Sequence, residues 1–351
     1  MTLFDTVKHA VERSFTVNEY PCLHEQLGRF EQEKPFAGKQ ILYAAPLTEN
    51  TQVALLPMIA GGAELTLSWP EIIEADPEVV ALFQSQGICC YKQVPDVLSF
   101  DVILDCGGHH ADLEARYGYV ELTRSGLNYY HRLKGKPCLD VDSTEVKNLE
   151  TVLGTGDGLL RAMKQSGYQA LKDKKALLFG YGKVGVGICR ALKAEQAQVS
   201  VVELRDRPAG NGVADWIKAD DVSTVLAAVA DSDFIITATG FGGVIEQNYP
   251  VKAFLESPAT LINMGAEDEY GESFPEKAIE NDKSAFNFIL EEPTHMKFID
   301  PIFALYNECA ALLISQPWGE GIRQPPEVLV QSLVGRFCRD QGYNRKDFQV
   351  H

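Results

Sequence analysis

The stretch KKALLFGYGKVGVGICRALKAEQAQVSVVEL, Lys174 to Leu204, decides the fold. An apolar run ends on Gly180-x-Gly182-x-x-Gly185, a helix-like stretch follows, and a second apolar run closes on Glu203. Strand, glycine turn, helix and strand, in that order, is the context in which this motif holds a dinucleotide. The first glycine permits the tight turn, the second lets the backbone approach a pyrophosphate, and the third lets helix and strand pack closely. The helix start, with Lys183 and Val184, offers unpaired N–H groups and a partial positive charge to the phosphates. Glu203 stands 23 positions after Gly180 and can accept hydrogen bonds from the hydroxyls of an adenosine ribose. The plainer alternative is a glycine turn beside a solvated acid.

Glu203 also bears on cofactor choice. A 2′-phosphate beside this carboxylate meets like-charge repulsion of roughly 1–4 kcal/mol at about 4 Å. That favours NAD over NADP, unless Arg205 and Arg207 fold back to rescue the phosphate. Two further strand ends carry small polar loops, Thr237-Ala238-Thr239-Gly240 and Asn263-Met264-Gly265. Ligands of open α/β sheets sit at the carboxyl ends of strands, so both loops are expected to line the same crevice.

Outward from this stretch, the chain alternates short apolar runs with helical patterns on both sides. Gln40–Ala45, AELTLS, ICCYK, FDVILD and GKPCLDVD read as strands of a first sheet, with helices between them. Continuous apolar strands joined by helices imply parallel sheets covered on both faces. The expected fold is therefore α/β, two doubly wound parallel-sheet domains, the second a Rossmann NAD-binding domain. The boundaries expected are 1–148 plus 306–351 for a substrate and catalytic domain and 149–305 for the cofactor domain. A long helical stretch, EVKNLETVLGTGDGLLRAMKQSGY, links them, and two helices close the chain after Asp300.

The 351 residues suit two domains of ordinary size, and 45% hydrophobic with 23% charged residues is a globular composition. A net charge of −17 repels phosphate backbones and anionic lipid, so nucleic acid and membrane are poor partners. The N-terminus lacks the apolar segment of a signal peptide, and no run approaches the length of a membrane span. Eight cysteines without a regular framework point to reduced thiols and a cytoplasmic location. No zinc-type Cys/His spacing is present, so no metal is expected.

Taken with these motifs, the chain resembles the S-adenosylhomocysteine hydrolase family from about Phe100 to about Ala310. The family's glycine loop resembles GYGKVGVG, its ribose-binding acid falls on Glu203, and its later strand ends match TATG and NMG. Leu104–Gly108 is similar to the family's LDxGG, and Glu121–Gly126 to its acidic, Thr-rich stretch. YNECA resembles an Asn-containing stretch near the nicotinamide. The resemblance implies a tightly held NAD, with Thr123 and Asn307 among its contacts, and a catalytic role for Glu121. It also suggests a homo-oligomer.

The chain departs from the family where the hydrolase chemistry lives. Cys106 and Leu122 replace acids, Val146 falls where the catalytic lysine belongs with Lys147 beside it, Glu150 replaces an Asp, and Ala266 a His. Lys147 and Glu150, three apart, can act as acid and base beside the nicotinamide or form a surface ion pair. His110, after a Gly pair, can take a hydroxyl proton during hydride transfer or be structural. His295 is a further candidate for a substrate contact, and PWGEG near Trp318 for a covering loop. The leading expectation is an NAD-dependent oxidoreductase acting on a small polar substrate between the domains. The alternatives are a divergent hydrolase or thioether-cleaving enzyme with tightly bound NAD, and a non-catalytic NAD-binding regulator.

Overall fold

A computed structural model describes residues 2–70, 75–132, 134–206 and 215–350. The chain divides into two compact units, Met1–Leu149 with Met296–Arg345 and Glu150–His295 with Lys346–His351. The return to the first unit comes at Met296, not at 306. The helix Met296–Ser315 is continuous and lies wholly in the first unit, so it cannot be cut at its midpoint. The last residues belong to the second unit. There Arg190 donates from Nη1 to the carbonyl of Asp347 and from Nη2 to that of Gln349, both at 2.8 Å.

The first unit is built on a seven-stranded sheet. Its strands are β1 Lys39–Ala44, β2 Ala63–Ser68, β3 Cys89–Tyr91, β4 Phe100–Asp105, β5 Ala115–Glu121, β6 Pro137–Asp140 and, late in the chain, β12 Gly321–Arg323. The order is β12-β6-β5-β4-β1-β2-β3, and every pair is parallel. The chain winds one way through β1, β2 and β3, then returns to place β4 on the other side of β1. Their carboxyl ends thus flank a topological switch point, where such sheets bind ligands.

The second unit carries β7 Lys175–Phe179, β8 Gln198–Glu203, β9 Asp215–Lys218, β10 Phe234–Thr237 and β11 Thr260–Asn263. Their order is β11-β10-β7-β8-β9, all parallel. The switch point falls between β7 and β10, and the glycine loop follows β7. The two doubly wound parallel sheets read from the sequence are the architecture found. β9 and β12 lie outside the apolar runs because both are edge strands, Asp215-Trp216-Ile217-Lys218 and Gly321-Ile322-Arg323, whose charged and exposed residues break any apolar run.

Two local readings are refined and one is corrected. The linking stretch is helical from Glu145 to Gln165 but not all α: Glu145–Asn148 is α, Leu149–Gly154 is π-helical, and Thr155–Gln165 is α again. The PWGEG segment is tied down within the first unit and leads into β12. Trp318 donates to the Leu312 carbonyl, and Glu320 accepts the Gly135 N–H. One helix, Met296–Ser315, does have the length and hydropathy of a membrane span. Its apolarity is explained by packing: it lies against β4, β5 and the helices Pro21–Glu33 and Glu49–Ala60.

Candidate functional site

In the second unit, the loop after β7 is shaped by its glycines. Gly180 has φ +93°, which L side chains rarely adopt, and a Cβ there would also overlap the carbonyl of Ala238. A Cβ on Gly185 would overlap the carbonyl of Gly180, so this glycine lets the helix Lys183–Ala194 start directly against the loop. Gly182 differs. It caps that helix, and no atom lies within 4 Å of where its Cβ would stand. The space a side chain would fill there is open, as close approach of a pyrophosphate requires. Lys183 and Val184, half-buried, form the first turn.

Glu203 ends β8 beside this loop with its side chain 12% exposed. Its Oε2 accepts the Tyr181 N–H at 2.9 Å and Arg205 Nη2 at 2.8 Å. Its Oε1 accepts the N–H groups of Leu204 at 2.9 Å and Arg205 at 3.3 Å. Burial pushes its pKa up, but the hydrogen bonds from Arg205 and Tyr181 outweigh it and hold the carboxyl below its ordinary value. Arg207, the other cation considered for NADP, lies outside the described residues.

A cavity of about 320 Å³ opens here, lined by Gly180, Gly182, Glu203, Arg205, Ala238 and Thr239 among others. Five residues named from the sequence for the cofactor thus share one cavity at the strands' carboxyl ends. A larger concavity in the same unit is lined by Lys175, Gln198 and Asp231, at the opposite, amino ends of the strands. It contains none of those residues. Open space at a helix N-terminus, a glycine turn and an acid at the end of the second strand together fit a dinucleotide.

The loops after β10 and β11 are locked by an acid the sequence reading did not single out. Glu269, wholly buried, accepts the N–H and hydroxyl of Thr239, both at 2.8 Å, and the Gly240 N–H at 2.6 Å. Burial pushes its pKa up against the pull of these donors. The signal for such an anchor is a glycine turn whose N–H groups have no acceptor of their own. Thr237 is also wholly buried and donates to Asn263 Oδ1 at 3.0 Å, so its hydroxyl braces two strand ends. Met264, 5% exposed, donates its N–H to the Thr237 carbonyl, while Gly265 leaves the room that Glu269 fills.

In the first unit, three carboxylates stand side by side at strand ends. Asp105 and Glu121 are register partners, as are Glu121 and Asp140, and all three are buried. Glu121 is held by donors on both oxygens. Its Oε1 accepts the Thr123 hydroxyl at 2.6 Å and the N–H groups of Thr123 at 2.7 Å and Gly107 at 3.0 Å; its Oε2 accepts that of Gly108 at 3.1 Å. Burial first, then repulsion from Asp105, pushes its carboxyl up to about 8. Thr123 is spent likewise, capping the helix Arg124–Tyr130 through the Gly126 N–H. Asp105 accepts the Tyr130 hydroxyl at 2.6 Å and the N–H groups of Cys106 and His110.

Other candidates are also placed. His110 is buried, with Nε2 3.0 Å from Ser68 Oγ, and burial lowers its pKa despite the Asp105 charge. Lys147 is 5% exposed, in the first unit, and Glu150 is half-buried, in the second. The helix between them is not regular α, since it widens to π geometry at Leu149. Asn307 is fully buried within the first unit, its Nδ2 donating to Gln26 Oε1 and the Ala54 carbonyl at 2.9 Å each. It ties three helices together. His295 is paired with Asp157, Nδ1 to Oδ2 at 3.0 Å.

Comparison with known proteins bears on the second unit first. Residues 151–275 match the sequence model of the family described as S-adenosyl-L-homocysteine hydrolase, NAD binding domain. The chain is similar to an adenosylhomocysteinase of Sulfurisphaera tokodaii, 28% identical over 275 residues that cover 70% of this chain and 64% of that protein. It is also similar to an S-inosyl-L-homocysteine hydrolase of Methanopyrus kandleri, 28% identical over 293 residues, 74% of this chain and 68% of the relative. The match thus spans less than two thirds of the first relative's length. Among solved structures, a transhydrogenase from Sinorhizobium meliloti aligns over 77% of this chain and 95% of its own. Its identity is 12% and its TM-score 0.41, a likeness too loose to bear on function.

Proposed function

We propose that this chain, whose second unit is an NAD-binding domain of the S-adenosylhomocysteine hydrolase type, is an NAD-dependent enzyme that moves a hydride to or from a small polar substrate. The observation that carries the reading is the shared cavity of Gly180, Gly182 and Glu203, with open space at the helix start. When bound, NAD supplies a hydride acceptor or donor. The chain's own residues do the rest. Gly182 and the helix start hold the diphosphate, Glu203 grips the adenosine ribose, and the loop set by Glu269 borders the cavity.

Net oxidation or reduction is preferred to hydrolysis because of the first unit's carboxylates. The acid retained from the hydrolase pattern, Glu121, has both oxygens committed to backbone and Thr123 donors, and its neighbour Leu122 cannot replace an acid. A carbon acid beside an oxidised sugar needs a free base, and these positions do not offer one. Lys147, held 5% exposed beside the position of the family's lysine, is the residue proposed to handle the substrate proton.

A second reading is favoured by the relatives' names: an adenosylhomocysteinase-like or inosylhomocysteine-cleaving enzyme that recycles its NAD. One experiment separates the two. The purified chain is incubated with NAD and panels of alcohols, amino acids and nucleosidyl thioethers while nicotinamide absorbance and free thiol are followed. Net NADH accumulation supports the oxidoreductase. Thiol release without net NADH supports the second reading, and neither, with NAD bound, overturns both in favour of a regulator.

A further inference from the structure

We infer that Arg205 is an internal competitor for the ribose-binding carboxylate, a specificity residue whose guanidinium must leave Glu203 before an adenosine ribose can take its place. The inference rests on the cofactor reading of the second unit. An ionised carboxylate has about four acceptor sites. In Glu203 all four are filled: Tyr181 N–H and Arg205 Nη2 on Oε2, Leu204 N–H and Arg205 N–H on Oε1. Three of these donors are backbone amides fixed by the glycine loop and the strand end. The fourth is a guanidinium on a side chain 64% exposed, the one donor that can depart without moving the chain.

The same Nη2 also donates to the Tyr181 carbonyl at 3.1 Å, so Arg205 bridges the glycine loop to the end of β8 across the cavity that both residues line. A ribose hydroxyl that reaches Oε2 replaces this donor like for like. The guanidinium end of the pair is exposed although Glu203 is not, so solvent screens the pair from one side and an incoming cofactor can break it. Once displaced, the guanidinium stays tethered two residues from Glu203, close to where a ribose 2′-phosphate would stand. Arg205 therefore weakens NAD binding slightly and offsets part of the repulsion that Glu203 exerts on NADP. Both effects narrow the chain's preference between the two cofactors.

Titration calorimetry of the full chain, Arg205→Ala and Arg205→Gln with NAD and with NADP, at low and high salt, tests this. Arg205→Ala is expected to bind NAD about 2- to 5-fold more tightly, the range of an ion pair screened from one side, and NADP more weakly. Arg205→Gln should fall between, and the NAD difference should shrink as salt screens the pair. Equal or weaker NAD binding by both variants overturns the competition while leaving the cofactor reading standing. Absence of NAD binding to all three chains overturns both.

Discussion

The backbone N–H of Tyr181 lies 2.9 Å from Oε2 of Glu203, so the glycine loop is closed onto the end of the neighbouring strand before any ligand arrives. The acid proposed to grip the sugar therefore also sets the loop proposed to meet the phosphates. Replacing Glu203 with Ala removes an ionised acceptor and leaves the Tyr181 N–H unpaired. Hydrogen bonds to charged groups contribute about 1.5–3 kcal/mol. NAD affinity should fall roughly 10- to 100-fold by titration calorimetry, and unaltered affinity would rule out the ribose role.

The glycines separate into two kinds. Ala at Gly185 would overlap the Gly180 carbonyl, and Ala at Gly187 would overlap the Val152 carbonyl. Each should destabilise the second unit by about 1–3 kcal/mol, the cost of forced shifts in a packed contact. Ala at Gly182 meets no atom within 4 Å and should leave the melting profile close to that of the parent chain while abolishing NAD binding. Thermal melting and calorimetry on the same three variants check the contrast. A Gly182→Ala chain that binds NAD normally would contradict it.

Glu269 gives a prediction at a distance from the cofactor's sugar. Its loss in Glu269→Ala leaves the Thr239 and Gly240 N–H groups without their acceptor in a partly buried turn. Unsatisfied buried donors cost about 1–3 kcal/mol each, so the loop should open and hydrogen exchange of Thr239–Gly243 should rise sharply. Exchange unchanged from the parent chain would show that the turn is held by something else.

The first unit should lose stability as pH rises. Glu121 carries a proton up to about 8 in the fold, against an ordinary value of 4.5, so between these limits the folded state binds more protons than the unfolded one. Stability therefore falls across that window and is fully lowered above it. Asp300, pushed by burial to about 7 from 3.8, acts in the same direction. Each kcal/mol lost lowers the melting temperature by about 2–4 °C for a unit of this size. Melting of the first unit should drop from pH 5 to pH 9, and Glu121→Gln should flatten the slope; a slope of opposite sign would refute the assignment.

What could be read from the sequence was what depends on neighbours along the chain. The glycine loop works through backbone atoms of consecutive residues, and Glu203 is fixed by the length of one helix and one strand, so both were legible. The surroundings of Asn307 and Glu121 were not legible because distant segments supply them: Gln26 and Ala54 for the first, Gly107 and Gly108 for the second. No local pattern distinguishes a polar residue bound for the core from one bound for a ligand. Glu269 escaped notice for the same reason, since its partners Thr239 and Gly240 stand about thirty residues earlier.

The placement of the helix Met296–Ser315 has a consequence for synthesis. A growing chain that has reached His295 holds six of the seven strands of its first unit but lacks the helix that covers β4 and β5. The later-made second unit, nearly contiguous from Glu150 to His295, has its whole sheet by then. Folding during translation thus runs against the usual order, with the inserted unit closing first and the N-terminal one waiting with apolar surface bare. A chain truncated after His295 and released from the ribosome should show a protease-resistant second half and a cleavable first half.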